Sequence, residues 1–315
     1  MKIAFFGTPL FADVVLKQLL RSRHPVAGLV TQPDRPKGRS RQPVPPPVKE
    51  TAGKSGIPIL QPEDLKSKAF LDSLRSWKAD LAVVAAYGRL LPASLIQSFP
   101  RGAVNLHASL LPKFRGAAPI QWALIQGETV TGVTTFQMDE QMDHGPILIQ
   151  FSHPIRPEDT AVTLVESLSA LGAAALLKTL DALESGSLQP KPQQESAACL
   201  APRLTKQDGI LRWQESCLEI HNRVRGVQPW PGAVTNFQEQ PVKILSTTPD
   251  PRRHEPSLRP GAVALADPNR GLWIQTGQGQ LRIDRLQPAG GVALEAGPFL
   301  RGHPIPPGTV LTSPK

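Results

Sequence analysis

The chain has 315 residues, 40% of them hydrophobic, which is enough for two domains with buried cores. Its formal net charge of +9 points to an anionic partner, nucleic acid or a phosphate-rich ligand. No uninterrupted apolar run reaches the roughly 18 residues of a membrane span. The N-terminus enters a strand pattern without a leader signature, and two cysteines are too few for a disulfide framework or a metal site. The expectation is a soluble cytoplasmic protein without a metal.

Residues 2–6, 26–31, 80–87 and 103–106 are apolar runs rich in Val, Ile, Leu and Ala and read as buried strands. Amphipathic segments at 11–20 and 65–76 lie between them. This alternation predicts an open, mostly parallel, Rossmann-like α/β sheet with helices on both faces. The first turn, Gly7-Thr8-Pro9, has a single glycine. No dinucleotide fingerprint follows the strand, so a nicotinamide cofactor is excluded. A basic loop at 32–46 then carries Arg35, Lys37, Arg39 and Arg41 against Asp34 alone. A loop of that length in a compact domain is functional or disordered, and its crowded like charges predict mobility when free.

Residues 132–138 and 147–151 read as further strands, and 160–184 as one long Ala/Leu-rich helix. Together these make a first domain at 1–188. Residues 189–208 contain Pro190, Pro192, Pro202 and several Gln and Ser, and read as a linker. The second domain, 209–315, opens with a helix at 216–225. Short segments follow at 233–237, 241–246, 262–265, 272–275 and 280–286, separated by Gly, Pro and Asn turns. That spacing suits a small OB-like β-barrel.

The chemistry gathers at Asn105-Leu106-His107-Ala108-Ser109-Leu110-Leu111-Pro112-Lys113-Phe114-Arg115-Gly116. Asn105 and His107 are two apart at a strand end, so their side chains share a face, beyond the carboxyl ends of the strands where open α/β sheets bind ligands. Asp143 follows in a glycine-containing turn; spacing makes it reachable but does not place it. An amide, an imidazole and a carboxylate can transfer an acyl-type group to an amine. The first two donate to the developing oxyanion. The carboxylate keeps the imidazole protonated and oriented, or holds a water that relays the amine's proton. A hydrolase built on Ser109 competes, but no G-x-S-x-G elbow surrounds it.

The run from Asn105 to Gly116, continuing Ala117-Ala118-Pro119-Ile120-Gln121, closely resembles the signature of the methionyl-tRNA formyltransferases. The resemblance extends to Phe6-Gly7-Thr8-Pro9, Thr31-Gln32-Pro33-Asp34-Arg35-Pro36-Lys37-Gly38-Arg39, Ala86-Tyr87-Gly88, Gly132–Asp139, Ala201–Lys206, Pro229–Ala233 and Leu286–Gly290, and so covers nearly the whole chain. It implies transfer of a formyl group from 10-formyltetrahydrofolate to methionine on initiator tRNA by a monomer, for translation initiation. It implies catalytic roles for Asn105, His107 and Asp143 and a folate-associated segment at Ser109, Leu110, Leu111 and Pro112, with Tyr87 and Gly88 beside it. It also implies tRNA contact by Arg35, Lys37, Arg39 and Arg41, and a C-terminal barrel that supports tRNA. That barrel region, residues 206–315, holds 13 Lys+Arg against 9 Asp+Glu.

Three departures stand out. Gln141 replaces a common glycine. His144-Gly145-Pro146 replaces Thr-Gly-Asp and sets a histidine where it could compete for Asp143. Gly290-Gly291-Val292-Ala293 lacks the usual lysines. Two other readings remain open at this point. One is a formyltransferase acting on a small amine such as a ribonucleotide or amino sugar. The other is a barrel that binds single-stranded nucleic acid, although aromatics are only 5% of the chain.

Overall fold

In the computed structural model, residues 1–36 and 42–314 are described. Lys37, Arg39 and Arg41, and the mobility expected of their loop, lie outside the described residues. The chain divides into two compact units. The first comprises residues 1–119, 130–154 and 164–202; the second comprises 120–129, 155–163 and 203–315.

The elements, in chain order, begin with β1 (Ile3–Gly7), α1 (Leu10–Leu19) and β2 (Val26–Val30). A two-residue pair, β3 (Arg35–Pro36) and β4 (Pro43–Val44), flanks the undescribed loop. Then come α2 (Pro47–Lys54), β5 (Ile59–Leu60), α3 (Lys68–Ser76), β6 (Leu81–Ala85), α4 (Ala93–Ile96) and β7 (Ala103–His107). After α5 (Pro119–Ile125), β8 (Val130–Gln137) and β9 (Ile147–Pro154) form a hairpin, followed by α6 (Ala161–Ser185).

The seven-stranded sheet runs β5-β2-β1-β6-β7-β8-β9. Five strands are parallel. β8 and β9 are antiparallel, because a hairpin needs only a short connection whereas a parallel return needs a crossover. The sequence placed those two strands but did not give their direction. Every residue of β1 and β6 is buried, as expected for central strands covered on both faces. At the edge, β9 alternates half-buried and exposed positions along its outer half.

Helix α6 is long and apolar enough to span a bilayer, with 44% of its most apolar window buried in the protein. Its composition has a packing reason. Gly172 lets it close on Leu106, where a Cβ would stand 2.9 Å from Leu106 Cδ2. Farther along, the buried Thr179 hydroxyl meets that of Thr135 at 2.7 Å. On the sheet's other side, Phe6, Phe70, Leu74, Trp77, Tyr87, Leu95 and Phe99 form one apolar cluster.

In the second unit, α7 (Cys217–Gly226) starts at a reciprocal capping box between Ser216 and Glu219. The strands are β10 (Ala233–Phe237), β11 (Gln240–Asp250), β12 (Val263–Asp267), β13 (Gly271–Gln275), β14 (Gln280–Pro288) and β15 (Leu294–Glu295), before α8 (Ala296–Gly302). Their order is β10-β11-β14-β13-β12, antiparallel throughout, with β15 on β14. The two edges, β10 and the residue before β12, are bridged by the C-terminal segment through Asn236 with Thr312 and Ala262 with Val310. The tail, to which the sequence assigned no role, is thus the closing stave of the barrel. Trp213 sits at 1% exposure in the core, its indole N–H donating to Thr235 Oγ1 at 3.0 Å. Phe237 packs on that core. Trp273 is covered by Arg253 and Arg282, whose guanidinium carbons lie 4.3 and 5.7 Å from its ring.

Candidate active site

β7 is fixed on both sides. Asn105 stands opposite Val84 of β6 and Phe136 of β8, and His107 opposite Thr134. Asn105 is half-buried, and no described residue hydrogen-bonds its side-chain amide. His107 is 7% exposed. Its Nε2 lies 2.8 Å from the Phe114 carbonyl. A carbonyl only accepts, so Nε2 is the ring nitrogen that donates here. Nδ1 faces the Asp143 carboxylate at 3.6 Å.

The segment after β7 folds back on itself and is knitted to the hairpin. Ser109 is fully buried, and its hydroxyl donates to the Lys113 carbonyl at 2.6 Å. That hydroxyl closes a turn, which removes the serine-nucleophile reading. The Thr134 hydroxyl donates to the Ser109 carbonyl at 2.6 Å and accepts from the Leu111 amide at 3.1 Å. Gln150 Nε2 donates to the Leu111 carbonyl at 2.8 Å. Leu110 lies over Gly132, where a Cβ would sit 2.6 Å from Leu110 Cδ2. Leu111 is buried.

At the end of β6, Ala86 and Gly88 turn through positive φ, +47° and +83°. The Tyr87 ring is in the core, edge-on to Phe6 at 5.6 Å, and burial pushes its phenol up against the pull of the Arg89 charge. What Tyr87 offers outward is its backbone, and its carbonyl already accepts from Thr8 Oγ1 at 3.1 Å and Gln32 Nε2 at 3.3 Å.

Asp143 sits in the turn between β8 and β9 at φ +50°, a left-handed conformation that Asp tolerates better than most residues. Its Oδ2 accepts from the Gly116 amide at 2.8 Å as well as facing His107. His144 does not compete for it. His144 Nδ1 lies 2.6 Å from Asp139 Oδ2, and its Nε2 lies 3.5 Å from Glu195. Gln141 is exposed and fits the turn through its backbone, donating to Asp139 Oδ1 at 2.9 Å. Asn105, His107 and Asp143 therefore come from one ordered strand and one folded turn.

Family models match in two blocks: a formyl transferase model over residues 1–180 and a formyl transferase C-terminal domain model over 203–304. The methionyl-tRNA formyltransferase of Trichlorobacter lovleyi is 42% identical over 310 residues, 98% of this chain and 96% of that protein. That of Syntrophus aciditrophicus is 44% identical over 314 residues, 99% of each. The chain belongs to the methionyl-tRNA formyltransferase family. In fold alone it is similar to HypX of Aquifex aeolicus in complex with tetrahydrofolic acid, with a TM-score of 0.64, 17% identity, and 95% and 47% of the two chains covered. It is similar in the same way to the sugar 3N-formyl transferase WlaRD, with a TM-score of 0.65, 17% identity, and 93% and 99% covered.

The hydrogen bonds around the Asp143 turn bring in residues that composition did not single out. Arg115 is 8% exposed and forks onto Gln193 and Glu195, with guanidinium contacts of 2.7 to 3.2 Å. Those partners lie in the stretch read as a linker, which is bound to the first unit. The Arg115 amide donates to the Cys199 carbonyl at 2.8 Å, and the Ala201 amide donates to the Arg115 carbonyl at 2.7 Å. Glu195's hydrogen bond pushes the Arg115 guanidinium up, and Arg115 pulls the Glu195 carboxyl below its usual range. In the basic loop, Arg35 is exposed. Asp34, which sequence set against the loop's cations, instead pairs with Lys49 at 2.7 Å and accepts from Gln61 at 2.7 Å. Those two bonds, Gln61 first, lower its pKa. Among the described residues no cluster of His, Cys, Asp and Glu could hold a metal.

Proposed function

We propose that the chain formylates the α-amino group of methionine on initiator tRNA, using 10-formyltetrahydrofolate as donor. The observation that carries this is the pairing of His107 with Asp143 at 3.6 Å, two residues along one strand from an uncommitted Asn105 amide, in a chain that aligns with its relatives end to end. The donor supplies a carbonyl carbon bearing a nitrogen leaving group. As the amine bonds to that carbon, charge gathers on the formyl oxygen. The Asn105 amide N–H and a protonated His107 Nδ1 are the donors placed to meet it. Asp143, which faces that same ring nitrogen, steadies the imidazole and takes the proton the amine must lose, directly or through a water. The departing nitrogen takes up a proton as its bond to carbon breaks.

Ser109, Leu111 and Tyr87 are committed internally, so they shape the folate segment with Leu110, Pro112 and Gly88 while the backbone meets the donor. Arg35, with Lys37, Arg39 and Arg41, contacts tRNA phosphates, which makes affinity salt-dependent. Residues 1–188 act as the catalytic domain, 189–208 as a connector whose part up to residue 202 packs on that domain, and 209–315 as the tRNA-supporting barrel of a cytoplasmic monomer. The test is formylation of charged initiator against elongator tRNA by wild type, His107→Ala and Arg39→Ala. Equal rates on free methionine or a small amine, with no affinity for tRNA, would favour a small-amine enzyme instead.

A further inference from the structure

The turn that carries Asp143 does not reach His107 by the geometry of the sheet. In the ladder Gln137 stands beside Val104, and the Met138 amide donates to the Ala103 carbonyl at 2.8 Å. The turn therefore leaves the sheet next to the start of β7, roughly 10 Å of strand from His107. It must fold back along β7 to bring its carboxylate to the imidazole. Gly145 permits a tight return, since a Cβ there would stand 1.8 Å from the Gln137 carbonyl. A glycine can allow that path but cannot hold it.

The Gln193 side chain is placed to hold it. Its Nε2 donates twice, to the carbonyls of Asp143 itself at 2.9 Å and of Gly145 two residues on at 2.8 Å. Its Oε1 accepts from Arg115 Nη2 at 2.8 Å and Nε at 3.2 Å. An amide flipped end for end would set oxygen against two carbonyls and NH2 against a cation, so only one orientation satisfies the site. Arg115 is held in turn by Glu195 and by the backbone of Cys199 and Ala201. Next to it, the Gly116 amide bonds the Asp143 carboxylate itself. Backbone and carboxylate of Asp143 are thus gripped by two segments, at Gln193 and Gly116, which the Arg115–Gln193 contact ties together.

We propose that Gln193 is a positioning residue for formyl transfer, acting through Asp143, with Arg115 and Glu195 fixing Gln193. The segment joining the two family blocks is thereby part of the catalytic apparatus. The inference rests on Asp143 being the carboxylate of the transfer centre.

Gln193→Glu tests it. The variant keeps side-chain length and the acceptor for Arg115 but replaces both donors with an oxygen that repels the two carbonyls. The expected result is a fall in kcat of roughly 10–100-fold from a misplaced group, with KM for donor and tRNA within about twofold and a shifted Gly116 amide resonance. The double variant with Asp143→Asn should be no slower than Asp143→Asn alone, because residues acting as one unit are not additive. Normal kcat in Gln193→Glu beside a crippled Asp143→Asn overturns the positioning role and leaves the reading of Asp143 intact. Normal kcat in Asp143→Asn overturns that reading itself. A further multiplicative drop in the double variant gives Gln193 an independent action and also overturns the proposal. Should Gln193→Glu fail to fold, Gln193→Met is read by the same rates and resonance.

Discussion

Two parts of the site are held in place by different means. Asn105 and His107 ride on β7, a strand paired on both edges, so the backbone ladder aims them without help from side chains. Asp143 rides on a turn whose own hairpin would carry it elsewhere, and side chains fifty residues downstream hold it. Placement by a ladder is insensitive to any single side chain, whereas placement by a clamp can fail at one atom. Substitutions of the strand pair should therefore remove chemistry and leave structure, while substitutions around the turn should disturb both.

The largest effect is expected for His107→Ala: a loss of roughly 10²–10⁴ in kcat, because the imidazole is both an oxyanion donor and the partner of Asp143, with a thermal midpoint close to wild type in a melt monitored by circular dichroism. A rate within tenfold of wild type would end the catalytic assignment. Asn105→Ala should cost roughly 10²–10³ in kcat, the usual effect of one oxyanion donor, with tRNA and folate affinities unchanged in binding titrations.

Gly116→Ala sharpens the contrast. Gly116 has φ +129°, and a Cβ there would stand 2.5 Å from the Ala201 carbonyl. It should lower stability by about 1–3 kcal/mol through backbone strain, read by urea denaturation, together with about tenfold in kcat. Unchanged stability would mean that the downstream segment does not need to lie so close.

The smallest effect is expected at Glu195. Arg115 lowers its carboxyl pKa in the folded protein. That contribution is fully present above the unfolded value of about 4.3 and disappears as pH falls through the lowered folded value. Glu195 is exposed, so solvent screens the pair. Glu195→Gln should shift the denaturation midpoint slightly at pH 7 and progressively less as pH falls through the lowered folded value. A difference that grew toward acid would contradict the pairing.

The same contrast explains what could be read from the sequence. A strand's alternation puts Asn105 and His107 on one face by arithmetic, and the apolar runs of β1, β2, β6 and β7 announce a covered sheet. The central strands, the long helix and the barrel segments all fall where their patterns place them. Nothing local announces that residues 189–202 fold onto the first unit. Prolines and glutamines there look like a linker because their hydrogen bonds go to distant partners. Gln193 is invisible without the turn it grips, and that turn is invisible without the ladder that misdirects it. His144 looked like a rival for Asp143 by adjacency, yet adjacent residues in a tight turn point apart, and it found Asp139. The resemblance implies folate contact at Ser109 and Tyr87 because they lie in its motifs, while a turn and the core hold their side chains.

The closing stave of the barrel bears on how the chain is made. β10 meets its partner at residue 312, and the residue before β12 meets its own at 310. During synthesis neither edge has this partner until residues 310 and 312 have been made. Unpaired edges template association between chains, so the second unit stays unprotected until residues 310 and 312 clear the exit tunnel. A nascent chain stalled before residue 309 carries the Asn105, His107 and Asp143 constellation complete but a barrel that cannot yet shut.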